Sequence, residues 1–174
     1  MIRNMAKLSP GAFFRQMAPV MAYGFSTSAS NATLQITLET VEKKVGVSNE
    51  IAAFTVPLGA TIDMDGTAIM QGVATVFIAS AFNIELGLCD YVAVILTATL
   101  ASIGTAGVPG VGLIMLALVL QQVGLPVEGI ALIIGVDRLL EMMRTAVNVT
   151  GDAAVSAIVA RSEGKFDMEI FEGK

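Results

Sequence analysis

Apolar residues fall in four long blocks along the chain, separated by short polar stretches. Residues 16–38 carry no charge, and residues 51–84 carry only Asp63 and Asp65. Residues 91–127 form a 37-residue run without a charge. Residues 129–160 carry Asp137, Arg138, Glu141, Arg144 and Asp152, and the stretch from Arg161 to Lys174 is polar. The uncharged run is the most informative block. As one helix it would measure about 55 Å, against a hydrocarbon core of about 30 Å. Its middle, Ser102-Ile-Gly-Thr-Ala-Gly-Val-Pro-Gly-Val-Gly112, cannot continue a regular helix. Pro109 lacks an N–H and the glycines favour turns. Two arms of about 12–15 residues remain, each near 20 Å and too short to span. A re-entrant helical hairpin over about 91–123 follows, its tip tolerated only inside protein or beside a cavity.

The first block has the same form, with arms at about 11–25 and 33–46 around Ser26-Thr-Ser-Ala-Ser-Asn-Ala-Thr33. That tip predicts a first hairpin over about 11–46. Its hydroxyls suit helix capping or the cradling of a ligand. Each hairpin precedes a longer apolar helix. One covers about 51–84 and is broken at Thr61-Ile-Asp-Met-Asp-Gly-Thr67, and the other covers about 129–160 with charges in mid-span. The order is a twofold repeat in hydropathy, the pattern that points to a transporter site at a repeat interface. The expected fold is therefore an all-α membrane protein with an inverted repeat. Two re-entrant hairpins are each followed by a transmembrane helix.

Composition narrows the class. The chain has 174 residues, 55% hydrophobic and only 14% charged, against about 25% charged in ordinary soluble domains. An integral, multi-pass protein of the cell membrane is expected. A net charge of −5 argues against a nucleic-acid partner. The absence of His removes His-based catalysis and His-ligated metals. Cys89, the single cysteine, has no internal disulfide partner. The opening MIRNMAKLSPGAFFRQ lacks the apolar core of a signal peptide.

On a helix, Asp137, Glu141, Arg144, Asn148 and Asp152 fall within a sector of roughly 80°. Ionisable groups inside a membrane are costly, so they face a cavity or each other. Two readings stay open. In one, Glu141 and Arg144 form an internal ion pair that holds helices together. In the other the stripe binds: Arg144 a substrate carboxylate through its planar fork, Glu141 an ammonium and Asp152 a cation. Asp63-Met-Asp-Gly-Thr67 also resembles the nucleophile loop of haloacid-dehalogenase-type phosphatases. That family needs a downstream lysine and an acidic metal pair. No Lys lies between Lys44 and Lys165 and no Asp-Asp pair follows, so an enzyme is not expected.

PLGATIDMDGTAIMQG, TLASIGTAGVPGVGLIMLA and GVDRLLEMMRTAVNVTGD follow one another in that order. The chain thereby resembles the dicarboxylate/amino acid:cation symporters, the glutamate-transporter family, from about residue 10 to 164. The resemblance implies part of an elevator-type transport domain over residues 1–164, with a polar tail at 165–174. It implies sodium-coupled symport of glutamate or aspartate, with no organic cofactor. The substrate would meet Ser28 and Ser30 in the first tip, Thr67 in the broken helix, and Val108 and Gly112 in the second hairpin. Arg144 would take the side-chain carboxylate, Glu141 and Thr145 the amino group, and Asn148 the α-carboxylate. One sodium would lie among Gly59, Asp63, Asn148 and Asp152. A second would use Thr61, Met64, Ser102, Ile103 and Thr105, and a third Asp63 and Asp65.

The chain departs from the family pattern at several of these positions. Asp63 replaces the usual Asn and Glu141 the usual Asp. Ala29, Asn31 and Gln35 replace two serines and a proline in the first tip. The family places further transmembrane helices before this region, supplying a scaffold and a homotrimer interface. A missing N-terminal scaffold half is thus an implied partner, alongside the lipid bilayer. Two alternatives accompany this reading: a non-transporting fragment or regulatory partner of a full-length relative, and a proton-coupled (H+) dicarboxylate carrier.

Overall fold

The computed structural model describes residues 2–103 and 107–173, and the described residues are helical with no strand. Eight α-helices follow one another: α1 (Pro10–Thr27), α2 (Ser30–Thr40), α3 (Asn49–Ile62), α4 (Asp65–Ala81), α5 (Leu88–Ser102), α6 (Val111–Gln122), α7 (Ala131–Ser162) and α8 (Met168–Glu172). Short π-helical turns at Ile2–Ala6 and Val41–Val45 and a 3-10 turn at Val127–Ile130 complete the path.

Local chemistry sets the interruptions. α1 turns into α2 at Ser28, which adopts the left-handed conformation (φ 56°) while its N–H bonds the Gly24 carbonyl at 2.9 Å. Between α3 and α4 the helix stops at Asp63 and Met64, then restarts with the Thr67 and Ala68 amides on the Met64 carbonyl. α6 begins at Gly110, whose φ of 88° suits only a residue without a side chain.

α7 is the axis of the molecule. Its 32 residues extend about 48 Å, and α1, α3 and α4 all pack along it. Its two ends serve different apolar cores. Towards the C-terminus, Val149, Ala153, Ala157 and Ala160 join Phe13, Met17 and Val20 of α1 and Ala52 and Val56 of α3. The alanines let these helices approach closely. Towards the N-terminus, Ile133 joins Met70, Ala74 and Ile78 of α4 and Leu116 and Leu120 of α6. A smaller cluster of Val94, Ala98 and Val119 joins α5 to α6. Between the two larger cores α7 buries Glu141, Arg144, Thr145 and Asn148, and Asp152 is buried beside Val149 and Ala153 of the C-terminal core.

One end of the molecule is closed by the C-terminal segment. Val47 pairs with Phe166, the Asp167 N–H bonds the Gly46 carbonyl at 2.7 Å, and Lys165 meets Glu50. Gln16 donates to the Phe171 carbonyl at 2.7 Å, and Arg161 donates to the Ala6 carbonyl at 3.1 Å while lying over the Phe166 ring.

Large apolar side chains cover much of the remaining outer surface. Ile69, Val73 and Phe77 of α4, Ile95, Leu96 and Leu100 of α5, and Leu132, Val136 and Leu139 of α7 are all exposed. Soluble monomers rarely show apolar patches of this extent. Among the described residues, no helix is long and apolar enough to cross a membrane, since α7 carries charges and most of the others are short.

Ala157 is fully buried in the core where α7 packs on its neighbours. Ala157→Leu should cost about 1–3 kcal/mol of stability, read as a lower thermal midpoint of the detergent-solubilised chain.

Candidate functional site

The break between α3 and α4 exposes amides that need partners from outside the helix. Asn148 of α7 supplies one: its Oδ1 accepts from the Gly66 N–H at 2.8 Å. The same amide group donates from Nδ2 towards Met64 Sδ at 3.2 Å and Thr67 Oγ1 at 3.3 Å. One side chain thus holds the break, Met64 and Thr67 together. This close approach needs Gly66. A Cβ there would lie 2.5 Å from the Arg144 carbonyl and 3.0 Å from Asn148 Oδ1.

One turn earlier on α7, Arg144 and Glu141 are both more than nine-tenths buried. Arg144 Nη2 donates to Glu141 Oε1 at 3.2 Å, and the Gly110 N–H at the start of α6 donates to that same oxygen. Arg138 lies 3.9 Å from the other oxygen. Arg144 Nη1 is buried without a hydrogen-bond partner and lies against Gly112, where any side chain would collide with it.

The two predicted tips meet beside this group. The Asn31 N–H bonds the Gly107 carbonyl at 3.4 Å, and a Cβ on Gly107 would lie 3.1 Å from that of Ser30. Ser28 and Ser30 are buried, and the Ser28 hydroxyl has no partner. Thr145 turns its methyl towards Gly24 of α1 and is buried.

Further along α7, Asp152 is buried and its Oδ1 has no hydrogen-bond partner. It faces Gly59 of α3, where a Cβ would lie 2.5 Å from that oxygen. Asp63 Oδ2 is likewise unpartnered and faces Gly151. Among the described residues, no group of three or more acidic or cysteine side chains is placed to hold a metal ion by itself. A cation here would therefore draw on backbone carbonyls as well as carboxylates. That donor set is all oxygen, which suits a hard cation.

Among the other expected residues, Thr61, Asp65, Ile103 and Val108 are exposed. Ser102 is buried with its hydroxyl on the Thr99 carbonyl at 2.8 Å. Thr105 lies outside the described residues. Two participants had no role in the sequence reading, the amides of Gly66 and Gly110, and Gln71 is a further buried polar residue on the same helix as Thr67. Gln71 is fully buried, with neither amide atom partnered, one helical turn from Thr67. Its spacing of four from Thr67 and from Thr75 is the signal that places it on the same face.

A family profile described as the sodium:dicarboxylate symporter family matches residues 1–162. The chain belongs to that family. It is 46% identical over 153 residues to an excitatory amino acid transporter of Caenorhabditis elegans, covering 88% of this chain and 30% of the relative. It is 45% identical over 157 residues to human excitatory amino acid transporter 3, covering 90% of this chain and 30% of the relative. An excitatory amino acid transporter of Onchocerca volvulus is 46% identical over 153 residues, 88% of this chain and 31% of its own length. The chain thus spans less than a third of these curated relatives. The family and the relatives are transporters rather than enzymes.

The α4 glycines separate packing from propensity. Gly66→Ala should destabilise the chain by about 1–3 kcal/mol by forcing α4 from α7. A methyl group on Gly72, also in α4, would meet nothing within 4 Å. Gly72→Ala should stabilise the chain by about 0.5–1 kcal/mol. Thermal melts of the two variants side by side check the contrast.

Proposed function

We propose that this chain is the C-terminal transport-domain portion of a sodium-coupled symporter for acidic amino acids. The observation that carries this reading is Arg144, a buried guanidinium with one nitrogen unpartnered beside both hairpin tips and the broken helix. Its planar fork fits a carboxylate through two parallel hydrogen bonds. The substrate's side-chain carboxylate lies on Arg144, its ammonium near Glu141 and Thr145, and its α-carboxylate near Asn148. Ser28, Ser30, Thr67, Val108 and Gly112 complete the contacts.

Sodium travels as cargo rather than as a resident cofactor. The unpartnered oxygens of Asp152 and Asp63, facing glycine backbone, support cation binding with Gly59 and Asn148. Thr61, Met64, Ser102, Ile103 and Thr105 would take a second ion, and Asp63 with Asp65 a third.

Both α5 and α6 are shorter than a hydrocarbon core is thick, at about 23 and 18 Å. This supports a re-entrant pair over about 91–123, as the α1–α2 turn supports one over about 11–46. Residues 1–164 form the partial transport domain and 165–174 its tail. The exposed apolar faces of α4, α5 and α7 fit the bilayer and an N-terminal scaffold half, within a homotrimer that works as an elevator. Those same faces also favour a second reading, a regulatory fragment that binds a full-length relative. Co-purification with such a relative, without any ligand binding by the chain, would select it.

Binding of L-aspartate and L-glutamate by the detergent-solubilised chain should require sodium. Arg144→Ala should weaken it by about 30-fold or more, as expected when one partner of a buried charge pair is removed. Asp152→Asn should raise the sodium concentration needed for half-maximal aspartate binding by about tenfold. Binding indifferent to both sodium and Arg144 would falsify the assignment.

A further inference from the structure

We propose that the buried hydroxyls of Thr55 and Ser156 form a positioning pair that sets which monovalent cation the Gly59–Asp152 contact prefers. The proposal rests on the reading of Gly59 and Asp152 as part of a sodium site.

Thr55 of α3 and Ser156 of α7 are both more than nine-tenths buried. Thr55 Oγ1 donates to Ser156 Oγ at 2.7 Å, and Ser156 Oγ donates in turn to the Asp152 backbone carbonyl at 2.8 Å. Among the described residues this is the one hydrogen bond that joins α3 to α7. The packing around it comes from Ala52 and Val56 on α3 and from Val149, Ala153 and Ala157 on α7. Apolar burial is non-directional and lets one helix slide on the other. A hydrogen bond has a preferred distance and angle, so this one fixes the register.

That register matters one turn away. Four residues forward on α3 is Gly59, and four back on α7 is Asp152. These two meet closely, since a Cβ on Gly59 would lie 2.5 Å from Asp152 Oδ1. The hydroxyl pair is thus about 6 Å along the helices from the contact between glycine backbone and carboxylate. Pro57 sits between Thr55 and Gly59, and without an N–H it makes no bond back to the Ala53 carbonyl. The turn leading to Gly59 is held less firmly by its own helix, and the tie to α7 supplies the constraint. Selectivity among hard cations follows from cavity size, ligand number and flexibility. A slide of α3 on α7 changes the first and the last together.

Removing either hydroxyl strands no donor. Without Ser156 Oγ, Thr55 keeps the Ile51 carbonyl at 2.8 Å, and without Thr55 Oγ1, Ser156 keeps the Asp152 carbonyl. The penalty of an unsatisfied buried group is avoided in both cases, so the main effect falls on position.

Thermal melts of the detergent-solubilised chain, titrated with sodium, lithium or potassium chloride at constant ionic strength, test the pair. A cation that binds the folded chain alone raises the midpoint according to its concentration and affinity. In wild type, sodium should act at lower concentration than lithium or potassium. Thr55→Val keeps the shape and removes the hydroxyl. It should reduce the preference for sodium over lithium by about three- to tenfold, the range one hydrogen bond commands. Thr55→Ser should restore it. An unchanged preference in Thr55→Val, with the sodium response still lost in Asp152→Asn, overturns the positioning role and leaves the site reading standing. Equal responses to sodium and lithium in wild type overturn the role as well. A wild-type midpoint that no cation moves, or a sodium response indifferent to Asp152→Asn, overturns both. Should Thr55→Val not fold, Ser156→Ala carries the same comparison.

Discussion

An interrupted helix held in an apolar setting must find partners for the amides that the interruption frees, because no solvent is there to take them. In this chain that requirement is met from a distance by Asn148, whose side-chain oxygen sits on the Gly66 amide. Much else is arranged around that bond. It demands glycine at 66, because α4 and α7 touch there backbone to side chain. It brings Met64 and Thr67 to one amide group. It also sets the distance between the two helices just where Arg144 lies, one turn away.

The polar middle of α7 is tolerable because its neighbours are small or polar. Gly59 faces Asp152, Gly112 faces Arg144, and Gly24 faces Thr145. Each glycine makes room for a side chain that would otherwise be forced out of the interior. The two apolar cores supply the packing that holds α7 against its neighbours. The chemistry is thus concentrated where the packing is least dense in hydrocarbon, and the stability comes from its two ends.

Much of this architecture was legible in advance. The four-three-four-four spacing of polar residues on α7 announces one buried face, and the glycine and proline content of residues 102–112 announces an interruption. The Asp-Met-Asp-Gly string announces another. What spacing cannot disclose is which distant groups meet. The partners Gly66 and Asn148 are 82 positions apart, and Gly110 and Glu141 are 31 apart. Local pattern is a property of one helix, whereas these contacts depend on how helices are set against each other. Gln71 was missed for a different reason. Its spacing from Thr67 and Thr75 is visible, but a lone amide among apolar residues reads as a surface position until its burial is known.

The closure of one end by residues 165–171 bears on the order of assembly. Gln16 meets Phe171, and Ala6 meets Arg161, across separations of 155 residues. Contacts between such distant positions can form only after the intervening chain has been made, and closing a loop of that length costs entropy. A ribosome delivers the N-terminal segment first. Gln16 at the base of α1 therefore waits for its Phe171 partner until residues 165–171 have been made.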